Sequence, residues 1–333
     1  VLVPDQGLGT QAEGVPAPRR GALTGQDSPP QRLIFSNRRR SLNSRNRKIT
    51  ALDIALASSV LLATAYIAYR VTVGLHYKWD WAAMPQYLIR YDAERKGWVP
   101  SLLTQGLFTT IRLSIWGTIL ATVIGTLIGF CRTSQSLFKR LVGRTYVELM
   151  RNIPPLVLVF VFYFFFSDQI MIFLGVDEFI KSRSEGTQRF FSFFFAQPSH
   201  FSAFLSALVT LAVFEAAYIA EIVRAGIESI EKGQWEASHA LGLSWWQQMR
   251  YIILPQATQR ILPPLAGQFI STIKDSAIVS VISIQELTFQ GMELMSATHL
   301  TFEVWITITA LYLLLTLTLS LAVARLEVYM RKR

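Results

Sequence analysis

The chain is poor in the residues on which soluble enzymes rely. Only 16% of its 333 residues are charged, where a soluble domain carries about 25%. A single cysteine, Cys131, excludes an internal disulfide. The four histidines (His76, His200, His239 and His299) nowhere pair at metal-ligand spacing, and the sequence has no HExxH, CxxC or GxxxxGK[ST] phosphate loop. No Ser/His/Asp, metal or paired-acid set stands out. The chain is therefore expected to hold no metal and no cofactor of its own, and not to be an enzyme.

What is abundant is apolar surface: 51% of residues are hydrophobic and the mean hydropathy is +0.35. A membrane span needs about 20 mostly apolar residues, and six stretches qualify: about 51–74, 107–131, 147–168, 202–223, 261–284 and 303–325. The fifth is the weakest, because it contains Lys274 and Asp275. The expected fold class is an all-α integral membrane protein of about six transmembrane helices. With the N-terminus inside, inner segments hold 21 Lys and Arg and outer segments 8. The positive-inside rule then puts both termini in the cytoplasm. No clear internal repeat of the kind that marks gradient-driven transporters is visible.

The regions between spans differ in character. Residues 1–50 open with five prolines and five glycines in 1–30 and end in a basic cluster, Arg38, Arg39, Arg40, Arg45, Arg47 and Lys48. Such a segment cannot bury enough surface to fold alone. It reads as a disordered cytoplasmic arm and a topology anchor near anionic lipid, rather than as a nucleic-acid arm or a secretory signal. Residues 75–105 are aromatic-rich (Tyr77, Trp79, Trp81, Tyr87, Tyr91, Trp98), as an interfacial belt or a docking surface for an outside partner would be. The outer segment 169–201, with Phe190, Phe191, Phe193, Phe194 and Phe195, has room for a short interfacial helix. In the second span Gly117, Ala121, Gly125 and Gly129 recur every four residues. That small face permits close helix packing, in this chain or with another.

The most informative stretch lies between spans four and five: Glu236-Ala237-Ser238, three residues, Gly242, nine residues, then Ile252-x-Leu254-Pro255. It predicts a short helix near 234–241 stopped at Gly242, and a second amphipathic helix ended by Pro255. This spacing resembles the EAA loop of binding-protein-dependent ABC importer permeases, with Ser238 in place of the second alanine. The segments YVELMRNIPP (146–155), AEIVRAGI (220–227), KGQWE (232–236) and STIKDS (271–276) look like the polar, general L-amino-acid branch. The resemblance covers about 105–327. It implies a permease core at 106–327 with a coupling loop at 233–255, preceded by one extra helix at 51–74 and followed by a basic cytoplasmic tail at 328–333.

The resemblance also implies partners: a pair of ABC ATPase subunits carrying the ATP and Mg, a second permease (paralogue or identical copy), an extracytoplasmic amino-acid-binding protein and membrane lipid, with no nucleic acid. The location would be a bacterial inner membrane. Glu236, Ala237, Ser238, Gly242, Leu254 and Pro255 would form the ATPase-coupling element. Glu236 would offer a charge, Ala237 and Ser238 close approach, and Gly242 a sharp exit turn. Trp245 and Trp246 would pack at the membrane interface or on the ATPase. Intramembrane charges are costly and usually face a cavity, so Arg151, Asn152, Glu215, Lys274 and Asp275 are candidates for the substrate path or for ties between helices. Glu221 and Arg224, three apart near the inner boundary, read as a surface pair or a contact with the loop. An opine, an osmolyte or another small polar solute is the alternative cargo.

Overall fold

The structure, a computed structural model, describes residues 50–74, 77–94 and 96–330. The N-terminal arm expected at 1–50 lies, but for Thr50, outside the described residues, as do the tail residues Arg331, Lys332 and Arg333. The chain divides into two units after His76. In the first, α1 (Ala51–Gly74) is a 24-residue helix. The Asp53 carboxylate reaches back to accept from the Thr50 N–H at 2.9 Å and its hydroxyl at 2.5 Å, satisfying a helix-start donor.

The second unit opens with α2 (Met84–Leu88) and a small antiparallel hairpin of β1 (Ile89–Asp92) and β2 (Gly97–Pro100). This is a departure from an entirely helical chain. Tyr91 pairs across from Trp98, their rings 5.6 Å apart, and the turn closes through Lys96 at φ 47° before Gly97. Part of the aromatic belt is thus a cross-strand pair. The helices that follow are α3 (Leu102–Thr133), α4 (Leu137–Asn152), α5 (Pro155–Val161), α6 (Asp168–Phe173), α7 (Val176–Lys181), α8 (Glu185–Phe194) and α9 (Phe201–Glu228). After them come α10 (Lys232–Ala240), α11 (Trp245–Gln247), α12 (Leu254–Asp275), α13 (Leu287–Thr298) and α14 (Thr301–Met330). The segment 169–201, expected on the outer side, therefore holds two short helices, α7 and α8, beyond the end of α6.

Among the described residues five helical stretches are long and apolar enough to cross a membrane: Leu102–Thr133, Pro155–Phe173, Pro198–Glu228, Trp245–Ile282 and Thr301–Arg325. The apolar part of α1, Ala51–Ile67, is shorter. Two expected boundaries move. The span expected at 147–168 is broken at Ile153, extended at φ −84°, ψ 135°. Pro154 disfavours a helical backbone at the residue before it, and here Arg151 and Asn152 end the amphipathic α4 and the span starts at Pro155. Pro255 does not stop a helix. The ladder becomes π-helical over Gln248–Ile253 immediately before it and continues as α12, and a local change of bonding pattern is one way a helix accommodates a residue lacking an N–H.

The span of α9 is 72% buried and that of α14 only 6%, so α9 is the central helix of the unit. The small face of α3 packs on it, within this chain. A Cβ on Gly125 would lie 2.8 Å from the Ala216 carbonyl oxygen and from Ile219 Cβ, and one on Gly129 would lie 2.7 Å from Val223 Cγ1. Gly117 meets Leu211 in the same way and Ala121 is fully buried. The contacts advance together along both helices, so α3 and α9 run parallel. Lipid supplies no hydrophobic drive for this contact, and close backbone approach replaces it. Gly125→Val should push the pair apart and cost on the order of 1–3 kcal/mol, as overpacking does. The check is the melting midpoint of the detergent-purified protein, which should fall, with Gly125→Ala intermediate.

Candidate coupling hairpin and intramembrane polar site

The α10–α11 hairpin is rooted in the core and presents its tip. Ile230, Met249, Ile253 and Ala257 are buried with Ile219, Val223 and Ile227 of α9 and Ala121 of α3, and Trp235 and Trp245 pack on that cluster. Gly242 ends α10 at φ 74°. Its N–H donates to His239 O at 2.9 Å, and Leu243 N donates to Ser238 O at 3.3 Å: the paired bonds of a Schellman stop. Ser244 then caps α11 in a capping box with Gln247. The buried Gln248 amide ties the turn by donating to Leu243 O at 2.8 Å.

Side chains of the expected coupling element fall on both faces. Glu236, Ala237, Gly242 and Pro255 are exposed and Leu254 is half-buried. Ser238 is buried and its hydroxyl donates to Trp235 O at 2.8 Å, so its small size serves packing within this chain. The tryptophan pair is split likewise: Trp245 packs inward, while Trp246 is 75% exposed.

Next to the hairpin, Glu221 is a node and not a surface pair. Its carboxylate meets Arg132 from α3 and Arg224 from α9, with Arg151 of α4 at 4.0 Å, and Arg224 also meets Glu228. Tyr146 fixes α4 from the other side, its hydroxyl donating to Val213 O at 2.5 Å. Burial pushes that hydroxyl up to about 12, so it stays a donor. Glu221→Ala would leave Arg132 and Arg151 crowded without their acid and Arg224 with Glu228 alone. The expected loss is on the order of 2–3 kcal/mol, below the roughly 3–5 of a fully buried pair because the node is partly exposed. Thermal unfolding of the purified protein reads it, with Glu221→Asp close to wild type.

Deeper along α9 the polar site forms. Glu215 is fully buried. Its Oε2 accepts from Gln268 Nε2 at 2.7 Å, and its Oε1 has no hydrogen-bond partner among the described residues. Thr272 and the Asp275 carboxyl stand beside it, and Tyr218 lies between this pair and Arg151, whose guanidinium sits 5.5 Å from the Tyr218 ring centroid. Glu215 and Asp275 are thus brought together, and Arg151 reaches them only through Tyr218. Asn152 is not: its amide bonds back to Glu148 O at 2.8 Å. Lys274 is exposed and makes no salt bridge among the described residues, although its charge acts on Asp275. It stands where α12 gives way to a 3-10 turn at Ser276–Ile282, and the helix that carries it begins at Trp245, well before position 261.

Tyr218, Gln268 and Thr272 were not among the expected residues. The signal existed: Gln268, Thr272 and Asp275 are spaced four and three on α12, one polar face turned to Glu215 and Tyr218. Two further buried acids also escaped notice. Glu286 caps α13 through Phe289 N at 2.8 Å and accepts from Tyr312 at 2.9 Å and Thr110 at 3.3 Å. Glu303 accepts from Tyr77 at 2.5 Å and from Asp80 N at 2.8 Å. Both are full of protein donors and read as ties between elements.

Residues 117–332, which include this hairpin and this polar site, match the family model described as binding-protein-dependent transport system inner membrane component. The chain belongs to that family. It is a membrane-spanning transport subunit of the ABC permease type. It is 36% identical over 234 residues to the glutamine transport system permease protein GlnP of Escherichia coli (strain K12), covering 69% of this chain and 93% of that protein. It is 31% identical to the glutamate/aspartate import permease protein GltJ of the same organism, over 70% of this chain and 87% of that one. Among solved structures it is similar to one described as an amino acid ABC transporter with histidines: TM-score 0.57 at 31% identity, covering 75% of this chain and 99% of that one.

Proposed function

We propose that this chain is the permease of an ATP-driven importer for polar L-amino acids, coupled through the α10–α11 hairpin to separate ATPase subunits. The observation that carries the reading is the hairpin itself. A core-anchored helix, closed by Gly242, presents Glu236 and Ala237 outward and leaves Trp246 exposed at its exit. Such an element transmits a push from a soluble partner because its base is packed and cannot yield independently. In this reading ATP and Mg reside on the ATPase pair, a second permease completes the core, and an extracytoplasmic binding protein delivers cargo. Both termini lie in the cytoplasm of a bacterial inner membrane. The names of the relatives support an amino-acid cargo.

The polar site supports the same reading. A zwitterionic amino acid needs an anion and a cation along its path. Glu215 and Asp275 offer the first; Arg151, and Lys274 on the open face of α12, offer the second. Mild-detergent purification from native membranes, with co-purifying subunits identified by mass spectrometry, tests the assembly. An ATPase and a second permease are expected. Their absence from an intact preparation would end the ABC reading. Uptake of an opine or osmolyte in place of amino acids by the reconstituted complex would keep the assembly and change the cargo.

A further inference from the structure

We propose that the cleft at the end of the bundle opposite the hairpin is a small-molecule site that holds the zwitterionic head of an α-amino acid ahead of the Glu215–Asp275 site. This rests on the amino-acid import reading and adds a place to it. The cleft lies at the N-terminal ends of α3 and α9. Ala203, on its wall, is 25 residues along α9 from Glu228, or about 37 Å at 1.5 Å per residue. Its volume is about 550 Å³, within the roughly 300–1,000 Å³ of small-molecule sites.

Segments distant in sequence build it. One face of α3 supplies Gln105, Phe108, Thr109 and Arg112, at helical spacings of three, four and seven. The β1–β2 hairpin closes one side and is held to α3 by Gln105 Nε2 donating to Pro100 O at 2.8 Å. The link between α8 and α9 brings His200, and the first turn of α13 brings Gln290.

Two groups in this wall have unmet valence. Arg112 makes only a long bond, Nη1 to Phe195 O at 3.4 Å, and no ion pair among the described residues. Gln290 is 5% exposed, and its Oε1 has no hydrogen-bond partner among the described residues. A buried acceptor left unpaired is costly. A ligand that completes both must present a carboxylate to the guanidinium and an N–H donor to the amide oxygen. A simple anion leaves Gln290 unpaired, and a simple cation, though Asp92 also lines the cleft, leaves Arg112 unpaired. A carboxylate and an ammonium on one carbon meet both requirements.

The test uses the assembled transporter in lipid nanodiscs, without binding protein. Equilibrium binding is measured for L-glutamine, L-glutamate and L-histidine, and for the analogue of each that lacks the α-amino group. At least one amino acid should bind, and its analogue should bind at least tenfold more weakly. Arg112→Met and Gln290→Leu should each weaken amino-acid binding at least tenfold, and Gln290→Leu should erase the discrimination against the analogue. Co-elution with the partner subunits and the melting midpoint report whether each variant is folded. Unchanged binding in both folded variants, with loss in Glu215→Gln, would place the ligand inside the membrane and overturn the cleft. So would the absence of binding by a complex that still imports an amino acid when binding protein is added. Variants that keep amino-acid binding but lose stimulation by the binding protein would make the cleft a protein-docking surface, also against the proposal. A complex that imports no amino acid at all would remove the import reading and the cleft proposal with it.

Discussion

Gly242→Pro is expected to abolish ATP-dependent uptake while the protein remains in the membrane at its normal level. Gly242 holds φ 74° and donates its N–H to His239 O. Proline fixes φ near −65° and has no N–H, at a cost of about 3 kcal/mol or more. At about 1.4 kcal/mol per decade, a hairpin that must hold one shape to transmit force should lose at least about 100-fold in coupled rate. Gly242→Ala separates shape from space. A Cβ there meets nothing within 4 Å, so only the left-handed backbone is penalised, about 1–2 kcal/mol, and uptake should fall by roughly tenfold or less. Glu236→Lys attacks the same step from its surface. Position 236 is exposed, so reversal should leave the fold alone and lower uptake through the partner contact, since a reversed or unpaired interface charge costs roughly 2–5 kcal/mol. Uptake at wild-type rate in Gly242→Pro or Glu236→Lys would remove the coupling assignment.

What was legible in the sequence is what local spacing encodes. The four-residue repeat of Gly117, Ala121, Gly125 and Gly129 specifies a close-packed face wherever its partner lies, and the partner proved to be α9. The Glu236-to-Pro255 spacing specifies a helix, a glycine stop and a second helix, all present. Illegible were the arrangements made by distant residues. Arg132, Arg151 and Arg224 come from three helices to one carboxylate, whereas from spacing alone Arg151 reads as a candidate for the substrate path or a helix tie and Arg224 as a local partner of Glu221. Thr110 and Glu286 meet across 176 positions. The β1–β2 hairpin hid inside an aromatic-rich segment, because Trp and Tyr suit both an interfacial belt and a strand. Pro255 misled because a rule about single backbone bonds cannot foresee the π-helical stretch before it.

The partition between substrate path and helix tie is settled by comparing Lys274 with its neighbour. Lys274 is exposed and makes no salt bridge among the described residues, so its one visible effect within the chain is the influence of its charge on the neighbouring Asp275. An ammonium in a membrane span carries a cost of several kcal/mol unless it faces water, a ligand or another subunit. Lys274→Ala is therefore expected to leave the complex assembled and to lower uptake of its cargo at least tenfold. Asp275→Ala should behave alike but with some loss of stability, since Asp275 sits beside Glu215 and the Gln268 bond that α12 makes to α9. Removing it changes the surroundings of a buried carboxylate already lacking a partner for one oxygen. The readouts are uptake in proteoliposomes and co-purification of the subunits, measured on the same preparations. Loss of co-purification in Lys274→Ala would mean that its exposed face is an inter-subunit tie. Intact assembly with slowed uptake would place its charge on the route of the cargo, one helix face away from the Glu215–Asp275 pair.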